Sequence, residues 1–166
     1  EALHSALRED PDVVLVGEMR DLETISIAVT AAEMGILVMG TLHTNGCAPT
    51  IDRIINSFPA DKQAHIRTMI STSLRGVVSQ QLLPKKTEAG RVAALEVLIN
   101  TSAVANLIRQ GKLDQLETAM QSGGNVGMQT MDSALMDLVS KALISGRDAY
   151  QQANDKSKFQ RMKDED

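Results

Sequence analysis

The chain has 166 residues, enough for one domain with a substantial core, or one domain and a small appendage. Its 43% hydrophobic content is ordinary, but aromatics make up only 2%, so the core must be aliphatic and methionine-rich. A formal charge of −4 runs against electrostatic binding of nucleic acid, and a single cysteine, Cys47, excludes an internal disulfide and a cysteine-based zinc site.

The chain begins at Glu1 without Met, inside a helix-like stretch, and reads as part of something longer. Residues 2–9 look helical and stop at Asp10-Pro11, because a residue before proline is disfavoured in the α region. VVLV (Val13–Val16) is a short, continuous apolar run that suits a strand buried on both faces. LETISIAVTAAEMG (Leu22–Gly35) has apolar residues at helical spacing and closes on a glycine. ILVMGTLH (Ile36–His43) predicts a second buried strand. Strand, helix, strand is the order a parallel βαβ unit requires.

Residues 48–57 and 60–73 read as two helices divided by Phe58-Pro59. GVVSQQLLP (Gly76–Pro84) and RVAALEVLI (Arg91–Ile99) predict strands joined through KKTEAG as a hairpin. TSAVANLIRQ, KLDQLETAMQS, MDSALMDLVSKALIS and GRDAYQQAN then predict successive helices, with Thr101 and either Thr130 or Asp132 as N-caps. SGGNVGMQT lies between them as a loop. The expected organisation is an α/β part over 1–100, a helical region over 101–155 and a charged, disordered tail over 156–166. No apolar run approaches the roughly 18 residues needed to span a bilayer and no signal peptide is visible, so a cytoplasmic protein is expected.

In open α/β sheets ligands bind beyond the carboxyl ends of the parallel strands. Two such ends are rich in polar groups: Gly17-Glu18-Met19-Arg20-Asp21 and Thr41-Leu42-His43-Thr44-Asn45. If the strands are adjacent and parallel, Glu18 and His43 share one rim. An acid at the tip of an apolar strand is the Walker B arrangement, which orients water and the Mg2+ shell beside a γ-phosphate. A histidine on the next strand can donate a hydrogen bond to that phosphate.

The same residues have plainer readings. Glu18 and Asp21 equally suit the N-terminus of the following helix, and His43 alone reads as a structural hydrogen-bonder. No G-x-x-x-x-G-K-[ST] loop is present, so these residues cannot by themselves cradle a triphosphate. His4, His43 and His65 share no metal-ligand spacing.

ALREDPDVVLVGEMRD followed by TLHTN resembles the Walker B and His boxes of the secretion-superfamily ATPases. TIDRIINSFP, VVSQQLLPK, GRVAALEVLIN, AVANLIRQGK and GMQTMD resemble, in the same order, its PilT-type branch, the type IV pilus retraction ATPases. The resemblance implies the second half of a RecA-like P-loop NTPase domain followed by a C-terminal helical bundle, with the Walker A loop upstream. It implies a hexameric ring that binds ATP and Mg2+ between subunits and powers pilus retraction and twitching motility. It also implies a cytoplasmic protein peripheral to the inner membrane, whose partners are a pilus platform protein and a paralogous retraction ATPase, with no nucleic acid. This part alone would be inactive.

Carried over residue by residue, the resemblance makes Glu18 the acid acting on Mg2+-bound water and His43 the residue that senses the γ-phosphate. Thr41 and Thr44 would shape that loop, and Arg20 and Asp21 would orient Glu18 or reach a neighbouring subunit. Arg53 would contact phosphate or an interface, or be a plain surface charge. Ala103, Val104, Ala105, Asn106, Leu107, Ile108 and Arg109 fall in the motility motif. Its stripe of Ala103, Val104, Leu107 and Ile108 reads either as core packing or as the element that passes nucleotide state to retraction. The secretion and extension branches carry a four-cysteine zinc motif where this chain has PKKTEAG, which favours retraction. A PilU-like accessory retraction ATPase and a non-catalytic partner-binding module are the alternatives.

Overall fold

The structure, a computed structural model, describes residues 2–164. They form two compact units. The first takes in the described residues up to Thr44, then 48–76 and 100–116; the second takes in 45–47, 77–99 and the described residues from 117 on.

In the first unit, α1 (Ala2–Leu7) is followed by a turn through Asp10, whose φ of 52° is left-handed. β1 (Val13–Val16) leads to α2 (Leu22–Glu33), which ends in a Schellman turn. There the Gly35 N–H donates to the Ala32 carbonyl and the Ile36 N–H to that of Ala31. The Gly35 φ of 99° needs glycine, which adopts it without a Cβ clash. The turn delivers the chain into β2 (Leu37–Gly40), parallel to β1 in register from Val13↔Leu37 to Val16↔Gly40. The expected βαβ unit is present, and its strands end level with each other.

Burial corrects one expectation. β1 buries Val14 and Val16 but exposes Val13 and Leu15, the latter at 72%, and β2 exposes Leu37 and Met39. Among the described residues this sheet is covered on one face only. The apolar run encodes what each strand tolerates, not what packs on it. β2 also stops at Gly40, three residues short of the expected end.

α3 (Cys47–Asn56) and α4 (Ala60–Ser73) flank Phe58-Pro59 as expected, and α4 packs on both α2 and α5 (Ser102–Gln110). Ile25, Ile51, Ile55, Ile70, Val104 and Ile108 are buried in this unit. The Asn100 amide donates to the carbonyls of Ser71 at 3.1 Å and Leu74 at 2.8 Å, tying the start of α5 to the end of α4. Residues 100–116 therefore belong with the first unit, and the expected division at residue 100 does not separate the compact units.

In the second unit, β3 (Gly76–Pro84) and β4 (Arg91–Ile99) form a two-stranded sheet. Their short connection cannot carry a parallel crossover, so the pair is an antiparallel hairpin. The predicted helix over KLDQLETAMQS opens as a 3-10 turn, Leu113–Gln115, before α6 (Leu116–Ser122). The predicted loop after it holds a 3-10 turn at Gly124–Val126, and its Gln129 pairs with Val97 of β4 as an antiparallel bridge. Thr130, not Asp132, caps α7 (Met131–Ser140), its hydroxyl accepting from the Ser133 N–H at 3.2 Å. α7 stops five residues before the expected Ser145. Ala142, at φ 55°, lets its own N–H reach the Val139 carbonyl and the Leu143 N–H reach that of Leu138. This is a Schellman stop with alanine where glycine usually stands.

α8 (Gly146–Gln152) is followed by a 3-10 helix, Lys156–Met162, that corrects the expected disordered tail. Phe159 is fully buried in a cluster with Met131, Leu135, Ile144 and Ala149. A Cβ at Gly146 would lie 2.7 Å from the Met162 carbonyl oxygen, so the segment runs directly over α8. Residues 165 and 166 of the expected tail lie outside the described residues.

Candidate functional site

Because β1 and β2 are parallel and end in register, the segments that follow them leave side by side. The Met19 N–H donates to the Thr41 carbonyl at 2.9 Å, and the Thr41 hydroxyl donates to the Gly17 carbonyl. These bonds extend the pairing past the strands and bring Glu18 and His43 together. His43 Nε2 lies 3.2 Å from Glu18 Oε1, and Arg20 Nε pairs with Glu18 Oε2. All three side chains are exposed. The hydrogen bond from His43, and next the one from Arg20, hold the Glu18 carboxyl below the usual carboxylate range. Glu18 is thus anionic at neutral pH and aimed along the rim by two partners.

The other expected residues divide between shaping and elsewhere. Thr41 spends its hydroxyl on Gly17, and Thr44 Oγ1 lies 2.6 Å from Thr50 Oγ1 in α3. Both shape the segment that carries His43. Asp21 does not orient Glu18. Its carboxyl accepts from the Thr24 N–H at 2.8 Å and the Thr24 hydroxyl at 3.1 Å, which caps α2 and lowers its own pKa. Arg53 sits exposed in the last turn of α3, and the contacts joining Glu18, Arg20 and His43 do not include it.

In α5, Val104 and Ile108 are fully buried and Leu107 and Ala105 half-buried, so the expected stripe is mainly core. Ala103, Asn106 and Arg109 are exposed, which takes Ala103 out of that stripe. Arg109 Nη1 donates to Asn106 Oδ1 at 3.4 Å.

Glu18 carries one carboxylate, already in contact with Arg20 and His43. Among the described residues no cluster of three or more His, Cys, Asp or Glu is placed to hold a metal ion. This donor set fits a cation met through water and not one caged by side chains. Among the described residues no helix is long and apolar enough to cross a membrane.

Glu96 was not singled out by sequence, and Asp132 only as an alternative N-cap; both acids are buried. Glu96 Oε1 accepts from the Cys47 N–H at 2.7 Å and Oε2 from the Met131 N–H at 3.2 Å. Asp132 accepts from the Asn154 and Asp155 N–H groups. The signal for Glu96 was present: strand alternation in RVAALEVLI places it inward with Ala94 and Leu98.

A parallel strand pair ending in a shared rim of acid, arginine and histidine makes this an α/β protein of the kind whose ligands bind beyond the strands' carboxyl ends. Residues 1–159 match the family described as Type II/IV secretion system protein, and the chain belongs to that family. Over 153 residues it is 58% identical to a Pseudomonas aeruginosa protein named as the type IV pilus retraction ATPase PilT, covering 92% of this chain and 44% of that one. Over 153 residues it is 41% identical to the type IV pilus ATPase PilU of the same organism, covering 92% of this chain and 40% of that one. The crystal structure of the pilus retraction motor PilT with bound ADP matches with a TM-score of 0.87 at 48% identity, covering 97% of this chain and 45% of that one. The fold is that of the secretion ATPases, and the chain spans less than half the length of these relatives.

Proposed function

We propose that this chain supplies the acid-and-histidine rim of a PilT-type ATPase that powers type IV pilus retraction and twitching motility. The pairing of His43 Nε2 with Glu18 Oε1 at the level ends of two parallel strands carries the reading. Membership of the secretion family supports it, and the higher identity to PilT than to PilU favours the retraction motor over the accessory paralogue. The chain supplies the second half of a RecA-like domain and a helical region after it.

In this reading Glu18, held anionic by His43 and Arg20, accepts a hydrogen bond from the attacking water and orients it toward the γ-phosphate of ATP. His43, on the neighbouring segment, donates to the γ-phosphate and reports whether it is there. Thr41 and Thr44 fix the backbone on which His43 rides. Glu18 would hold Mg2+ through water, and the ion when bound would supply positive charge beside the phosphate oxygens. The phosphate loop comes from sequence outside this chain, and the chain alone hydrolyses no ATP. The working form is a hexamer in the cytoplasm against the inner membrane, acting on a pilus platform protein, with a paralogous retraction ATPase as a second partner. The exposed Asn106 and Arg109 of α5 pass the nucleotide state toward that partner surface.

The test is steady-state ATP hydrolysis by the full-length protein carrying Glu18→Ala. Loss of turnover with ATP binding retained is expected. Wild-type turnover would leave the non-catalytic partner-binding module as the better reading.

A further inference from the structure

We infer that Thr50 is a positioning residue for His43, acting through Thr44; the inference rests on the reading of His43 as phosphate-facing. Thr44 and Thr50 belong to the same compact unit as Glu18 and His43. In α3, Thr50, Ile51, Ile54 and Ile55 are buried, a stripe at the spacing of one helix face. Thr50 is the polar member of that stripe and only 8% exposed. A hydroxyl there is costly unless it is hydrogen-bonded, and valine would fill the space without a polar group. The hydroxyl is used: Thr50 Oγ1 lies 2.6 Å from Thr44 Oγ1.

His43 is carried by residues 41–44, which form neither helix nor strand. Such a segment takes its position from the bonds at its ends. At one end the Thr41 hydroxyl donates to the Gly17 carbonyl, and the Met19 N–H donates to the Thr41 carbonyl at 2.9 Å. At the other end the Thr44–Thr50 bond ties the segment to the buried face of α3. Leu42 and His43 lie between these ends. The first end follows from the strand register, the second from the hydroxyl of Thr50.

α3 is held in this unit by Ile51 and Ile55, which are 0% and 1% exposed. Thr50 therefore offers Thr44 a rigid seat, and Thr44 is the next residue after His43. The imidazole meets Glu18 Oε1 at 3.2 Å, near the long end of a hydrogen bond. A shift of about 1 Å carries the ring out of reach, and misplacement on that scale can slow a chemical step by about a hundredfold.

The test is Thr50→Val in the full-length protein, which keeps the branched shape and removes the hydroxyl. We expect kcat for ATP to fall by about tenfold while KM stays within about twofold. Thr50→Ser keeps the hydroxyl and should hold kcat within about threefold of wild type. Ile51→Val trims a fully buried neighbour on the same face and controls for lost packing. At a matched fall in Tm it should keep kcat within about twofold. Unchanged kcat in Thr50→Val, no recovery in Thr50→Ser, or an equal loss in Ile51→Val overturns the inference.

Should Thr50→Val not fold, Thr44→Val breaks the same bond from its other end. It is expected to lower kcat by a similar factor, and unchanged kcat overturns the inference. Should the wild-type protein hydrolyse no ATP, the proposed function itself fails, and a crystal structure of the full-length Thr50→Val variant then carries the test. His43 Nε2 displaced beyond hydrogen-bond reach of Glu18 Oε1 supports the positioning role. A pairing that stays within reach contradicts it.

Discussion

His43 Nε2 stands 3.2 Å from Glu18 Oε1, although the two residues are 25 positions apart and each sits past the end of its own strand. The parallel register of β1 and β2 produces this meeting, and the Thr41–Gly17 and Met19–Thr41 bonds hold it.

The meeting has a measurable electrostatic consequence. Glu18 has a depressed pKa, so the stabilisation from its partners is present above the ordinary carboxylate range and fades as pH falls through the lowered value. His43→Ala and Arg20→Ala should each move the Glu18 titration upward, since each removes a hydrogen bond and a charge interaction that lower it. Carboxyl 13C shifts followed against pH read this directly. A midpoint that neither substitution moves would mean the contacts do not persist in solution.

The end of α7 gives a stability prediction with the opposite sign from most substitutions. Ala142 holds a φ of 55°, where a Cβ is strained and glycine is not. Ala142→Gly should raise stability by about 1 kcal/mol in urea melts, since the strain it relieves outweighs the added freedom of the unfolded chain. A loss of stability would place the stop elsewhere.

The C-terminal segment should behave as part of the second core. Phe159 is fully buried, and its replacement by alanine should cost about 3–5 kcal/mol and open residues 156–162 to proteolysis. Gly146→Ala should weaken the same docking, because the new Cβ meets the Met162 backbone. A cost under about 1 kcal/mol for Phe159→Ala would show an undocked segment.

What was legible in the sequence followed from local chemistry. The apolar runs, the helical spacing of α2 and the glycine at its end specified the βαβ unit, and so placed Glu18 and His43 on one rim. What was not legible depends on distant partners. Asp21 is next to Arg20 and three residues from Glu18, yet its carboxyl caps α2 by accepting from the Thr24 amide. VVLV reads as fully buried, but cover on the second face comes from other elements and not from the run itself. Phe159 sits among lysines and arginine, and only the pocket formed by α7 and α8 turns that charged stretch into structure. Ala142 ends a helix without the glycine that would announce it. Glu96 was readable as a polar residue on an inward register; its two helix partners were not.

The most direct measurement of the central claim, that the two strand ends act as one site, is a double-mutant cycle on kcat for ATP in the full-length protein. Glu18→Gln and His43→Gln are made singly and together, with ATP affinity followed on the same samples. If they act as one unit, each single change lowers kcat, by about a hundredfold for Glu18, and the double mutant falls no further than the worse single one. If the double mutant shows the product of the two effects, or either single mutant keeps wild-type kcat, Glu18 and His43 do not form one catalytic site.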